Sequence, residues 1–267
     1  MSATTTITQQ LDTREGAREH ARVAAAAVRR PRWWGEALTI AWLCWLYDAV
    51  TELAPLRLHT ALAHGRAILS LERTLHIDPE RSLDQWLAAR HTLGLLVSDY
   101  YDNAHFIVTF GLLGWIWWRR ADIYRPLRNS LALVNVIGFA VFWLYPLAPP
   151  RMLASVGFTD IVANSHTFGS WHTGALASSA DQLAAMPSLH MAWACWCGLA
   201  IWRLSSRRSV RALAVIYPCV TAVIVLATGN HFLFDVLAGV AAIALSVWLV
   251  EIAPPLLRGL GRTAAVR

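Results

Sequence analysis

The chain is a succession of long apolar runs divided by short stretches dense in arginine. The runs cover about 37–54, 95–118, 129–146, 188–203, 210–228 and 232–250. Each approaches the roughly 20 apolar residues with which a helix crosses a bilayer. The run at 188–203 is short but continuous with Pro187, a residue suited to the first turn of a helix. The pattern therefore predicts an all-α protein, a bundle of six transmembrane helices. Composition agrees: 56% of residues are hydrophobic, 15% are charged and the mean hydropathy is +0.42. That is too apolar for a soluble chain of 267 residues. The 14 tryptophans cluster toward the ends of the runs, as in an aromatic belt. No repeat or linker divides the chain. The expected organisation is a tail over 1–32, a six-span domain over 33–253 and a second tail over 254–267.

All 23 basic residues are arginine, and their placement orients the bundle. Arg119, Arg120, Arg125 and Arg128 fill the link between the second and third runs. Arg203, Arg207, Arg208 and Arg211 fill that between the fourth and fifth. Arg29, Arg30 and Arg32 precede the first run, and Arg258, Arg262 and Arg267 follow the last. The positive-inside rule places all four segments in the cytoplasm, which an even number of spans allows. The segment 55–94 then lies outside. Its five arginines are offset by Glu72, Asp78, Glu80 and Asp84, and Leu62, Ile68, Leu69 and Leu71 sit between the charges. That pattern predicts an interfacial helix on the bilayer surface.

Charge and cysteine narrow the classes further. The net charge of +6 could suggest nucleic-acid binding, but the arginines sit at span ends, where anchoring to the inner leaflet accounts for them. The first 30 residues lack the apolar core of a cleavable signal, so the first span is expected to direct export. The expected location is the plasma membrane, multi-pass, with both tails cytoplasmic. Cys44, Cys195, Cys197 and Cys219 lie inside apolar runs. Cys195 and Cys197 point to different sides of a helix and read as packing residues.

Against this apolar background a few polar residues stand out, because ionisable groups are costly at membrane depth. On the topology above, Tyr145–Met152, the start of the fourth span at Pro187 and the junction Thr228–Asp235 share the outer face. They bring Arg151, Ser188, His190, His231 and Asp235 together. The spacing of His231 and Asp235 puts both on one helix face, so the carboxylate can orient the imidazole. His231 is then the candidate nucleophile and His190 the candidate acid for the departing alkoxide. A helix start behind Pro187, with Ser188 and the guanidinium of Arg151, suits a phosphate. Asn103, His105 and Asn230 are candidate substrate-lining residues. Asp102 lies beside them, and Trp171 and His172 belong to the outer loop 147–186.

At these residues the chain resembles the type 2 phosphatidic acid phosphatase superfamily. The second motif of that superfamily, Pro-Ser-Gly-His, reads here Pro187-Ser-Leu-His190. The end of its third, His, three residues, Asp, reads His231-Phe-Leu-Phe-Asp235. The Leu in place of Gly, Ala148-Pro-Pro-Arg151 and Thr228-Gly-Asn-His231 look more like the branch containing fungal inositol phosphorylceramide synthase. The resemblance covers about 95–250. It implies six helices, a phosphohistidine at His231 partnered by Asp235, and His190 as acid. Two cations of the superfamily pattern have no counterpart: the first-motif lysine would fall at Trp118, upstream of Arg125-Pro126, and the third-motif arginine at Val225.

The expected activity is cleavage of a lipid phosphoester at the outer face, without metal or cofactor. Water as acceptor gives a phosphatase, and an alcohol such as inositol gives a transferase. The expected partners are the bilayer and a lipid phosphate or phospholipid, not nucleic acid. Two other readings use the same residues. One is a metal-dependent membrane hydrolase with His190, His231 and Asp235 as ligands. The other is a transporter or haem protein.

Overall fold

The computed structural model describes residues 30–53, 57–165 and 181–254. Nearly all of both expected tails, and Trp171 and His172, lie outside the described residues. Within them every regular element is helical. The helices are α1 (Trp33–Leu53), α2 (Leu58–Thr74), α3 (Glu80–Ala88), α4 (His91–Arg119), α5 (Ala121–Leu144), α6 (Ile161–Ser165), α7 (Leu189–Leu204), α8 (Arg208–Ala227) and α9 (Leu233–Val247). A π turn, Trp248–Ile252, continues α9.

Three of these are long and apolar enough to cross a membrane: Ala121–Leu144, Arg208–Ala227 and Leu233–Ile252. The other three expected spans correspond to α1, α4 and α7. Helix α1 carries Glu36, Asp48 and Glu52, α4 carries Asp99 and Asp102, and α7 is 16 residues long. The chain is therefore a helical membrane protein in which three spans meet this measure.

Leu113, Ile116, Leu127, Leu131, Trp196 and Ile243 form the main core between α4, α5, α7 and α9. Burying a side chain of this size contributes about 1.5–3 kcal/mol, and a position so filled admits nothing polar without a partner. Trp196 meets that condition by donating its indole N–H to the carbonyl of Leu127 at 2.8 Å. Helices α7 and α9 touch at Gly239, where a Cβ would lie 2.4 Å from the Ser188 carbonyl. That contact sets the two helix starts side by side.

A second core lies at the end of the bundle where α7 and α9 begin. Leu69 of α2 packs there with Leu147, Leu153, Phe158 and Phe232. Helix α2 turns Ala61, Gly65, Leu69 and Glu72 inward, while Leu71 stays 47% exposed. The segment expected to lie along the bilayer thus also roofs the loops after α5 and reaches the start of α9.

Candidate active site

The strap between α8 and α9 is built by backbone geometry. Gly229 adopts φ +64°, and a Cβ there would sit 3.0 Å from an Asp84 carboxylate oxygen and 3.5 Å from Cβ of Arg151. Glycine alone turns the chain here without strain or clash. The turn carries His231 back so that its backbone N–H donates to the carbonyl of Val225 at 3.2 Å. The position where the superfamily pattern has an arginine is thus a buried valine that holds the histidine through its main chain.

The spacing of His231 and Asp235 predicts that both lie on one face of a helix. The structure starts α9 at Leu233, with Phe232 as N-cap, so His231 precedes the helix. The two still meet. Asp235 Oδ2 accepts from the Phe232 N–H at 2.9 Å and lies 3.6 Å from His231 Nδ1. Phenylalanine has no side-chain acceptor, so only the carboxylate arm of a capping box forms. Asp235 is fully buried and His231 is 5% exposed.

Ser188 caps α7, its Oγ accepting from the Met191 N–H at 3.3 Å. Its own N–H donates to the Asp235 carbonyl at 3.0 Å, which ties the two helix starts together. Ser188 is fully buried behind the cavity wall, and Pro187 sits one residue before the cap rather than in the first turn. His190, in the first turn of α7, stacks on Tyr101 at 4.4 Å and meets His105 edge-on at 4.2 Å. Its ring centroid is 5.9 Å from that of His231. His105 Nδ1 lies 3.1 Å from the Tyr101 carbonyl; a carbonyl can only accept, so that nitrogen carries the proton.

Arg151 occupies a 3-10 turn, Pro150–Met152. Its N–H donates to the Gly229 carbonyl at 2.8 Å, its Nε to Asn230 Oδ1 at 2.8 Å and its Nη1 to Asp160 Oδ2 at 3.1 Å. The guanidinium is therefore fixed in place with its side chain 8% exposed. Asn103 donates back to Asp99 of its own helix at 3.0 Å. Arg151, Asn103, His105, His190, Asn230 and His231 all line one cavity of about 800 Å³ with largely apolar walls.

Several groups around the site were not singled out in the sequence. Asp160 pairs with Arg151, and Tyr101 stacks on His190. Near Asp235 lie two fully buried carboxyls, Glu72 and Glu80, and a third, Asp84, lies against the turn at Gly229. Glu72 Oε1 accepts from the Phe234 N–H at 2.7 Å, so α2 supports the first turn of α9. Burial pushes Glu72 up to about 9, helped by the neighbouring Glu80 carboxyl. Burial raises Glu80 as well. Asp84, which accepts from the Thr159 N–H at 3.0 Å, is raised to about 6 by burial. In the sequence these carboxylates read as charge balance for five arginines. The available signal was that Glu80, Asp84 and Leu87 share one face of α3.

The profile of the PAP2 superfamily matches residues 66–249. The chain belongs to the PAP2 superfamily. Members are generally phosphatases, and membership suggests phosphatase-type chemistry on lipid phosphoesters. The match is to the superfamily and selects no branch within it. No curated protein and no solved structure matches the chain significantly.

Proposed function

We propose that the protein is an integral-membrane lipid phosphatase or phosphotransferase working through a phosphohistidine at the extracytoplasmic face. The observation that carries this reading is the meeting of His190 and His231, 5.9 Å apart, with Arg151 at the end of one apolar cavity. Asp235 faces Nδ1 of His231, which leaves Nε2 for attack on phosphorus. As the P–O bond to the lipid breaks, His190 gives its proton to the departing alkoxide. Arg151 and the N–H groups at the start of α7 hold the phosphoryl oxygens, with Ser188 shaping that start as its cap. In the second half His190 takes a proton from water or an alcohol, whose oxygen attacks phosphorus and releases His231. The likeness of 148–151 and 228–231 to the inositol phosphorylceramide synthase branch supports a polyol acceptor. A six-span topology with the arginine-rich links inside supports an outward-facing site.

The test is turnover of lipid phosphates and phosphodiesters by the purified protein in nanodiscs, with and without inositol. The unsubstituted protein should release or transfer phosphate and show an acid-labile phosphoenzyme. His231→Ala should abolish both. Full turnover by His231→Ala would remove the nucleophile assignment. Loss on chelation, restored by a divalent ion, would favour the metal-dependent hydrolase instead.

A further inference from the structure

The cavity does not stop at the site. From His190 and Arg151 it continues between α1, α4, α5 and α7 past Leu43, Phe106, Phe110, Leu131 and Phe139 to Glu36, Tyr124 and Arg128. Helices α1 and α5 run side by side in the same direction along it. Glu36 meets Tyr124 and Arg128 near the start of both, and Tyr47 meets Phe139 at 5.5 Å eleven residues further along each. At the far end the Tyr124 hydroxyl donates to Glu36 Oε2 at 2.8 Å, and Arg128 Nε faces the same oxygen at 3.4 Å. The passage is thus largely apolar, although Thr39, Asp48 and Asn135 also line it, with phosphate-suited groups at one end and an ion pair at the other.

We propose that this passage takes a single unbranched hydrocarbon chain of the substrate into the protein and that the Glu36–Tyr124–Arg128 cluster limits its length. The proposal rests on the lipid phosphoester reading above. Its occupant follows from continuity: among the described residues, the cavity that Arg151 lines runs on into this largely apolar space. Leu189, next to His190, packs at Gly138, where a Cβ would meet it at 2.8 Å, so the phosphate level lies between Gly138 and Phe142 of α5. From Arg128 to those residues the helix rises about 15 to 21 Å at 1.5 Å per residue. An extended chain advances about 1.2 Å per bond, a third of the 3.6 Å spanned by one extended residue. The passage therefore fits roughly 12 to 17 carbons. A methylene beyond that meets the half-buried Glu36–Arg128 ion pair.

A chain that stayed among the lipids would show no such limit, because lipid tails are as apolar as the cavity walls and length would change nothing. The test is the thermal stabilisation of His231→Ala in nanodiscs by n-alkyl phosphates of 8 to 20 carbons at equal mole fraction. Stabilisation should peak within about 12–17 carbons. Apparent affinity should fall about tenfold for chains four carbons longer, the usual scale of an overpacking penalty. Ala132 lines the passage one turn above Arg128. Adding Ala132→Phe should move the peak about five carbons shorter, the four residues from Arg128 rising about 6 Å. Leu43→Trp, on the facing wall and seven residues beyond Glu36, should shorten the preferred chain at least as much where the first variant fails to fold. A flat profile, no stabilisation by any chain, or a peak unmoved by either substitution would overturn the proposal. Turnover by the unsubstituted protein is read separately. Its absence would overturn the phosphoester reading and leave the binding profile to decide this one.

Discussion

At the scale of single residues, Asp235 and Arg151 are expected to fail in different ways. Asp235 sits 3.6 Å from His231 Nδ1 and accepts from the Phe232 N–H. Asp235→Asn can keep that second bond, but its amide N–H₂ then faces the imidazole and favours the wrong tautomer. Loss of such a carboxylate costs about 100- to 10,000-fold in kcat, with little change in KM. Steady-state kinetics on a lipid phosphate would check this. Arg151→Lys keeps the charge and loses the planar fork that Asn230 and Asp160 now fix. Binding of substrate and of vanadate should weaken together, by about tenfold or more, since a charged hydrogen bond contributes about 1.5–3 kcal/mol. If vanadate inhibition were unchanged in Arg151→Lys and lost in Asp235→Asn, the two roles would be exchanged. The histidines, Arg151 and Asp235 were legible in the sequence because charge stands out against apolar runs. Asp160 was not, since one acid in a polar loop has no pattern to break.

At the scale of elements, the support of α9 by α2 makes stability depend on pH. Glu72 is raised from an ordinary carboxyl value to about 9 by burial and by Glu80, and Asp84 to about 6 by burial. Each binds its proton more tightly folded than unfolded, so its stabilisation is full below the unfolded value near 4–5 and is lost as pH rises through the folded value. The unfolding temperature should therefore fall between pH 5 and 9. Glu72→Gln keeps an acceptor for the Phe234 N–H and a donor toward Glu80, with no charge to gain. That variant should lose the part of the fall that Glu72 carries and keep the part due to Asp84 and Glu80, diverging from the unsubstituted protein by several degrees at pH 9, at about 2–4 °C per kcal/mol for a chain of this size. Parallel melting curves would show that Glu72 does not carry the dependence. The helices themselves were legible from apolar runs of the right length. The start of α9 was not, because the run begins at Phe232 while Gly229 and the Asp235 cap set the first turn at Leu233. Nor was the inward face of α2, since its Glu72 has a partner only once α3 and α9 are in place.

At the scale of the molecule, the arginine distribution and the site geometry make a joint statement about sidedness. Arg119, Arg120 and Arg128 lie at the junction of α4 and α5, and Arg203, Arg207 and Arg208 at that of α7 and α8. The strap 228–231, the start of α7 and the turn at Arg151 lie at the opposite ends of those same helices. Membrane insertion retains arginine-rich links on the cytoplasmic side, so the cavity end with His190 and His231 should face outward. A short-chain phosphate that cannot cross a bilayer should be hydrolysed by intact spheroplasts at nearly the rate seen after permeabilisation. A cysteine placed at Asn103 should react with a membrane-impermeant maleimide from outside, while one placed at Arg207 should react only after lysis. Both positions lie in described helices or their links, so labelling reads orientation without depending on turnover. The reverse labelling pattern would invert the bundle and put the phosphate site in the cytoplasm, where the substrate would come from the inner leaflet.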